Sequence, residues 1–578
     1  MRDSSVPNTI GAIVDQGLSK YSGTVCATKR EGVWISTNVE DFIEQMHACA
    51  AGLFELGIRK GDRVAIHSEN STEWVILDQA LLRLGAVTVP IYTTQPKNQI
   101  AYIARDARIR GYIVSTAELF AECPDDLMAI PSMQWIMGLR GAFSDDMISL
   151  QEVMDSGRAR LKQDPELVQQ AQVEGDDLAT LVYTSGTTGK PKGVMLSHAN
   201  IASNVLATAD RLPFSPPGRM LSYLPLSHSF ERMVSIFYLS LGFEIHFVES
   251  FLEIREDLAV VRPKHLTTVP RLLEKIHAGM MQKAQEAGGV KGTLARWAFG
   301  LASQYDVANP KMGGSYKLAD KLIFSKVREG FFGGCIEGMT SGGAALSPKV
   351  EAFFNGLGIL CGQGYGLTET SPVVTVYDHT NMRPGTVGTA IRDVEIRIAD
   401  DGEILVRGPN IMQGYYNMPE ETASVITEEG WFHTGDIGKI EDGQLYITDR
   451  KKQLFKLSTG KYVAPSPIEV ALISHPLIEH AVVVGSERKF CGALLVADPA
   501  AIRQQFGAEA SEQHIRGALD EVVASVNSTL PAWEQIKKYN LVNKPFSIAT
   551  GELTPTLKVK RRVVSEKYRH LIDNLYES

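Results

Sequence analysis

Short β-branched runs alternate with amphipathic stretches along much of this chain, and no other feature limits its architecture as strongly. Arg63-Val64-Ala65-Ile66-His67 reads as a strand, residues 73–84 as a helix and residues 86–91 as the next strand. Further on, Ser197 is placed to cap a helix carrying Ile201, Val205 and Ala209 on one face. Residues 221–224, a helix over 230–241 and a strand over 243–248 repeat the order. Strand, helix, strand at this spacing predicts doubly wound α/β sheets covered by helices. From about residue 375 the texture shifts to close-set short strands with Gly/Asp turns, residues 402–406 and 444–447 among them. A β-rich module over about 375–449 is expected there.

At 578 residues the chain exceeds a single core, and about 150 residues per unit gives roughly four folding units. The charged step Asp449-Arg450-Lys451-Lys452 divides two apolar strands. A large domain over 1–449, a hinge over 450–452 and a smaller, mobile α+β domain over 453–578 are therefore expected. In the smaller domain Ser466 and Glu469 have capping-box spacing at a helix start, and residues 481–484 and 493–496 read as strands. The net charge of −9 offers no basic field for nucleic acid. The six cysteines contain no C-x-x-C pair and read as reduced thiols of a cytoplasmic protein. The greasiest run, residues 233–248, is broken by Glu244 and His246 and is too short to span a bilayer. It reads as a buried helix followed by a strand, and peripheral membrane contact stays open. Oligomeric state is not written in the sequence.

The chemistry is concentrated in Tyr183-Thr184-Ser185-Gly186-Thr187-Thr188-Gly189-Lys190-Pro191-Lys192-Gly193-Val194, which follows the apolar lead 178–182. Glycines leave backbone N–H groups free, hydroxyls supplement them and two ammonium groups stand close by, which suits a polyphosphate. It is not a Walker A loop. Two residues instead of four separate Gly186 from Gly189-Lys190, and Pro191 stands where the metal-binding Ser/Thr belongs.

This run resembles the signature loop of the adenylate-forming superfamily, which includes the acyl-CoA synthetases, and further matches in the family's order extend the likeness to Lys558. The resemblance implies that Thr184, Ser185, Gly186, Thr187, Thr188 and Lys192 hold the β- and γ-phosphates of ATP. In Gly362-Gln363-Gly364-Tyr365-Gly366-Leu367-Thr368-Glu369-Thr370 it implies nucleotide contacts from Gln363, Gly364 and Tyr365, the last stacking on adenine. Thr368 would touch the α-phosphate, and Glu369 would hold Mg²⁺ with Thr184 as second ligand. Gly342, Gly343 and Ala344 match the adenine-side turn. Asp436 would accept the ribose hydroxyls, with Arg450 beside it. His228 is assigned to the substrate passage without a proton-transfer role.

Residues 551–562 match the family's catalytic-lysine segment, with Lys558 as the lysine. Leu557 departs from the common form, in which glycine precedes that lysine; long-chain fatty acid ligases share the bulky residue. Lys560, Arg561 and Arg562 read equally well as a solvated basic tail. For the second half-reaction the resemblance implies rotation about Lys452, bringing Lys456, Thr459, Gly460 and Tyr462 toward nucleotide and pantetheine. The expected activity is formation of acyl-AMP from a fatty acid, with ATP and Mg²⁺, and then transfer to coenzyme A. Two alternatives stand beside it, a ligase loading a separate carrier protein and a non-catalytic adenylate or acyl sensor.

Overall fold

Alternate residues of the strand Arg63–His67 face opposite cores: Val64 and Ile66 join one apolar cluster and Ala65 another. A strand buried on both faces belongs inside a helix-covered sheet, and that is its place in the computed structural model, which describes residues 7–141, 143, 147–185, 190–310, 313–507 and 511–577. It pairs in parallel with Val87–Ile91 and Gly111–Val114 in an eight-stranded sheet. The hairpin Leu178–Ser185/Pro191–Ser197 extends one side of that sheet, its first strand parallel to Val87–Ile91, and the short strand Gly414–Tyr415 adds antiparallel beyond it.

A second sheet has nine strands, with a parallel centre running from Leu360–Gly366 through Gly338–Ser341, His265–Thr268, Arg219–Ser222 and Glu244–Phe247 to Thr24–Arg30. Helices Ile10–Leu18, Thr72–Arg83, His198–Ala209 and Ser229–Leu241 contribute to one continuous core that reaches both sheets. Ser197 caps His198–Ala209 as expected, with its Oγ on Asn200 N–H and the Asn200 side chain returning to Ser197 N–H.

The strands Val373–Val376 and Thr389–Ala390 are edge strands of the nine-stranded sheet, so the separate β-rich sheet starts later than its texture suggested. It has four antiparallel strands: Glu395–Ile398, Glu403–Arg407, Phe432–Glu441 and Gln444–Arg450. Beyond it, Ile478–Val484, Cys491–Ala497 and Ile536–Leu541 form a three-stranded sheet with a core on each face. Ala481 and Val483 fill one core while Val482 and Val484 fill the other, the period of two that a strand imposes.

Two expectations fail in this last region. The helix Pro465–Ile473 starts where predicted but has no side-chain cap. Ser466 instead donates to Asp449 Oδ1 (2.8 Å) and Gln453 Oε1 (2.9 Å), and Glu469 accepts from Val483 N–H (2.6 Å) and from Arg561. Pro465 at the first position, with φ preset for a helix, makes the serine cap unnecessary. Arg561 is likewise no solvated tail, because its guanidinium pairs with Glu469 and donates to Val483 O (2.7 Å). Arg562 is the exposed member, paired with Glu566 one turn on.

Candidate functional site

Antiparallel register places the polar ends of the hairpin Leu178–Ser185/Pro191–Ser197. Thr184 lies opposite Lys192, Val182 opposite Val194, and Tyr415 of the added strand opposite Val194. Directly opposed residues share a face, as do positions two apart, so Thr184 and Lys192 lie on the same face as the buried Val182, Val194 and Tyr415, one pair further along the hairpin. The Lys192 ammonium lies 4.8 Å from the centre of the Tyr415 ring. Gly186, Thr187 and Thr188 lie outside the described residues, and of Ser185 only the backbone is described.

From the other sheet, Leu360–Gly366 ends in a tight turn that becomes the single helical turn Thr368–Thr370. Gly366 is required there, since a Cβ would lie 1.7 Å from the Pro372 carbonyl oxygen. Gly366→Ala should cost about 2 kcal/mol or more through forced displacement of that carbonyl. Urea unfolding measures it, and an unchanged midpoint would mean the turn yields freely. The turn presents Thr368 Oγ1 to Ser229 Oγ at 3.1 Å, and Glu369 Oε1 accepts from Tyr415 Oη at 3.0 Å. Glu369 O also accepts from Met412 N–H (2.9 Å), tying the turn to the segment that leads into Tyr415.

Tyr365 Oη donates to Asp436 Oδ2 at 2.7 Å, and Arg450, opposite Asp436 in the four-stranded sheet, pairs with Oδ1 at 2.9 Å. Asp436 is buried while Arg450 is half open to solvent. A carboxylate has about four lone-pair sites, so Asp436 retains room for two further donors. Gly342 N–H bonds Thr268 O (3.0 Å), Gly343 takes φ +80° and Ala344 is exposed, which leaves this turn open. Gln363 does not face it with its side chain. Its buried amide accepts from Leu346 N–H (2.8 Å) and donates to Glu351 (3.4 Å), so it shapes the turn from behind. Gly364 follows in the same strand.

Lys558 enters this group from the smaller domain. The turn that carries it is closed by Leu557 N–H to Thr554 O and Thr554 N–H to Lys558 O, both 2.8 Å, with Leu557 at φ +60°. Thr94 of the large domain donates to Pro555 O at 3.3 Å, which docks the turn against the large domain. Glu369, Asp436 and Arg450 all act electrostatically on Lys558. Burial and the Arg450 charge push its ammonium below the ordinary lysine value, while Asp436 and Glu369 pull it up. The residue is nevertheless exposed to solvent, and that hydration weakens the burial effect and favours the charged form.

His228 faces the same lysine. Burial, and then Lys558, depress its pKa to about 4, so the ring is neutral near pH 7. Its Nδ1 accepts from Phe230 N–H (3.1 Å), which puts the ring proton on Nε2. Three residues on, Glu231 is 2 % exposed, hydrogen-bonded by Ser222 Oγ, and burial raises its carboxyl to about 8 from an ordinary 4.5. The folded protein therefore holds this proton more tightly than the unfolded chain. The contribution is complete below about pH 4.5 and is lost as pH rises through about 8. Glu231→Gln should flatten that decline and make the variant the more stable form above about pH 8. Urea unfolding at about pH 5 and about pH 9 tests this, and parallel losses in both proteins would contradict it.

The other expected residues stand apart in this domain orientation. Phe455–Lys456 and Tyr462–Val463 form a two-stranded hairpin, with Lys456 over the Tyr462 ring at 5.6 Å and Tyr462 64 % exposed. Thr459 and Gly460 form its exposed tip, where Gly460 N–H closes on Leu457 O. Lys452 occupies the third position of a turn closed by Gln453 N–H and Leu454 N–H on Arg450 O (2.8 and 3.2 Å). Tyr415, Ser229 and Thr94 were not singled out from sequence. No local signal marks them, because each reaches the site through pairing or docking with a distant segment.

Residues 17–416 match the family model of AMP-binding enzymes, and residues 452–578 match that of the AMP-binding enzyme C-terminal domain. The chain is 35% identical over 571 residues to the long-chain-fatty-acid–CoA ligase FadD15 of Mycobacterium bovis, covering 94% of this chain and 93% of the relative. It is 32% identical over 568 residues to the peroxisomal long chain acyl-CoA synthetase 6 of Arabidopsis thaliana, covering 92% and 80%. Among solved structures, the adenylation domain of a carboxylate reductase from Mycobacterium chelonae shares the fold, with TM-score 0.78, 24% identity, and coverage of 100% and 92%. The Thr184/Lys192 hairpin, a Tyr–Asp–Arg cluster and a lysine docked from a separate domain come together, and the chain belongs to the AMP-binding, adenylate-forming enzymes.

Proposed function

We propose that this protein joins a long-chain fatty acid to coenzyme A in two steps through an acyl-AMP intermediate. The observation that carries the reading is Lys558, brought from the smaller domain to Glu369, Asp436 and Arg450. The named activities of the full-length relatives supply the substrate class.

In the first step a carboxylate oxygen attacks the α-phosphorus of ATP and pyrophosphate leaves. The protein's work is to orient the reactants and neutralise charge. Thr184 and Lys192, with the loop between them, hold the terminal phosphates; Asp436 and Arg450 hold the ribose; Tyr365 lies against the base; Thr368 reaches the α-phosphate. Lys558 places its ammonium where charge gathers on the transferring phosphoryl group. His228, neutral and with its proton on Nε2, lines the carboxylate side. Glu369 and the Thr184 hydroxyl are hard oxygen donors, and the described residues contain no group of three or more His, Cys, Asp or Glu able to enclose a metal ion. That sparse set fits Mg²⁺, which keeps most of its waters and phosphate oxygens; when bound, the ion offsets phosphate charge. In the second step the coenzyme A sulfur attacks the acyl carbonyl and AMP leaves. Rotation about Lys452 withdraws Lys558 and brings up the hairpin with Lys456, Thr459, Gly460 and Tyr462.

No helix among the described residues is long and apolar enough to cross a membrane. We place the enzyme in the cytoplasm, touching bilayers from which its substrate is drawn. Exposed Val290, Trp297 and Leu318 beside Lys291, Lys317 and Lys321 support that contact.

The test is a panel of carboxylic acids of rising chain length, scored for thioester that requires both ATP and coenzyme A. Long-chain acids should be preferred. Acyl-AMP that accumulates without thioester, or a preference for short or aromatic acids, would overturn the assignment.

A further inference from the structure

Tyr415 joins two groups that the proposed mechanism treats separately, and no motif marks it. Its hydroxyl donates to Glu369 Oε1 at 3.0 Å, and its ring carries the Lys192 ammonium 4.8 Å from the centre. The residue is 8% exposed. Its backbone is fixed by pairing with Val194 and by Tyr415 N–H on Thr422 Oγ1 (2.9 Å). A donor locked on Oε1 leaves Oε2 of Glu369 as the open oxygen and fixes the plane of the carboxylate. The ring face attracts the ammonium by its quadrupole, which holds Lys192 beside the hairpin it serves.

We propose that Tyr415 is a positioning residue for both charged partners of the polyphosphate: its hydroxyl aims Glu369 at the divalent ion and its ring aims Lys192 at the terminal phosphates. Resting on the active-site reading above, this assigns two separable jobs to one side chain. Tyr415→Phe keeps the ring and removes the donor; Tyr415→Leu removes both.

The test measures Mn²⁺ binding by titration calorimetry in the presence of a non-hydrolysable ATP analogue, and analogue binding at saturating Mn²⁺, with Glu369→Gln as reference. Tyr415→Phe should weaken Mn²⁺ uptake by about tenfold, as expected for loss of a hydrogen bond to a charged group. It should leave analogue affinity at saturating metal within about twofold. Tyr415→Leu should weaken both. A metal titration of Tyr415→Phe that superimposes on wild type overturns the hydroxyl's role. Equal loss of both affinities in Tyr415→Phe and Tyr415→Leu, with lowered thermal midpoints, makes the residue only structural and also overturns the proposal. Wild-type protein that takes up neither analogue nor metal would instead sink the active-site reading itself.

Discussion

Replacing Lys558 by alanine lowers carboxylate-dependent ATP–pyrophosphate exchange by about 10²-fold or more, the scale of losing one preorganised charge donor. Thioester formation from supplied acyl-AMP falls much less, because the proposed rotation withdraws the lysine before that step. The asymmetry follows from where the charge sits. Lys558 is docked against the large domain by Thr94 and Pro555 and lies in the field of Glu369 and Asp436. Its loss leaves charge on the transferring phosphoryl group uncompensated, and no second cation from the smaller domain is assigned to that position. Equal losses in both half-reactions would refute the role.

Locking the two domains in this orientation separates the half-reactions more sharply. Thr94 Oγ1 and Pro555 O are 3.3 Å apart, so a cross-link between cysteines introduced at positions 94 and 555 would tie the two domains in this orientation. A Thr94→Cys, Pro555→Cys pair is best built with Cys335→Ser, since Cys335 is the exposed native cysteine while the other five are buried. Once oxidised, the enzyme should keep pyrophosphate exchange within a few-fold and lose thioester formation by about 10²-fold or more, because the hairpin bearing Lys456 and Tyr462 can no longer approach. Reduction should restore it. Fully cross-linked protein that still makes thioester at the native rate would rule out domain rotation. A proline at Lys452 is a poorer lock, because it would drive Lys451 from the helical conformation needed by the turn on Arg450 O.

The alternating strands and helices were legible because a strand buried on both faces writes itself as a short apolar run. Arg63–His67, Thr72–Arg83, Val87–Ile91 and Ser229–Leu241 all fall within a residue or two of where periodicity puts them. What the chain hides is long-range pairing. Tyr365, Asp436 and Arg450 come together from two sheets, and Asp436 was assigned from resemblance alone. Tyr415 meets Glu369 because a two-residue strand adds to the phosphate hairpin, an event with no periodicity to read. Ser466 and Arg561 failed for the opposite reason: the serine's spacing fits a local cap and the arginine sits in a run of charge, but tertiary partners (Asp449 for the serine, Glu469 for the arginine) claim both side chains.

Leu557 sets how stiffly Lys558 is presented. A leucine at φ +60° carries about 1–2 kcal/mol of local strain that glycine would not. Glycine would return some of that gain as extra freedom in the unfolded chain, about 0.4–1 kcal/mol, so the melting temperature of Leu557→Gly should barely move. The difference should emerge in motion: amide exchange across residues 554–558 should quicken once the bulky residue no longer restricts the turn. In mechanical terms the leucine makes the lysine a shaped arm instead of a loose tether, so less disorder has to be frozen out each time the smaller domain returns.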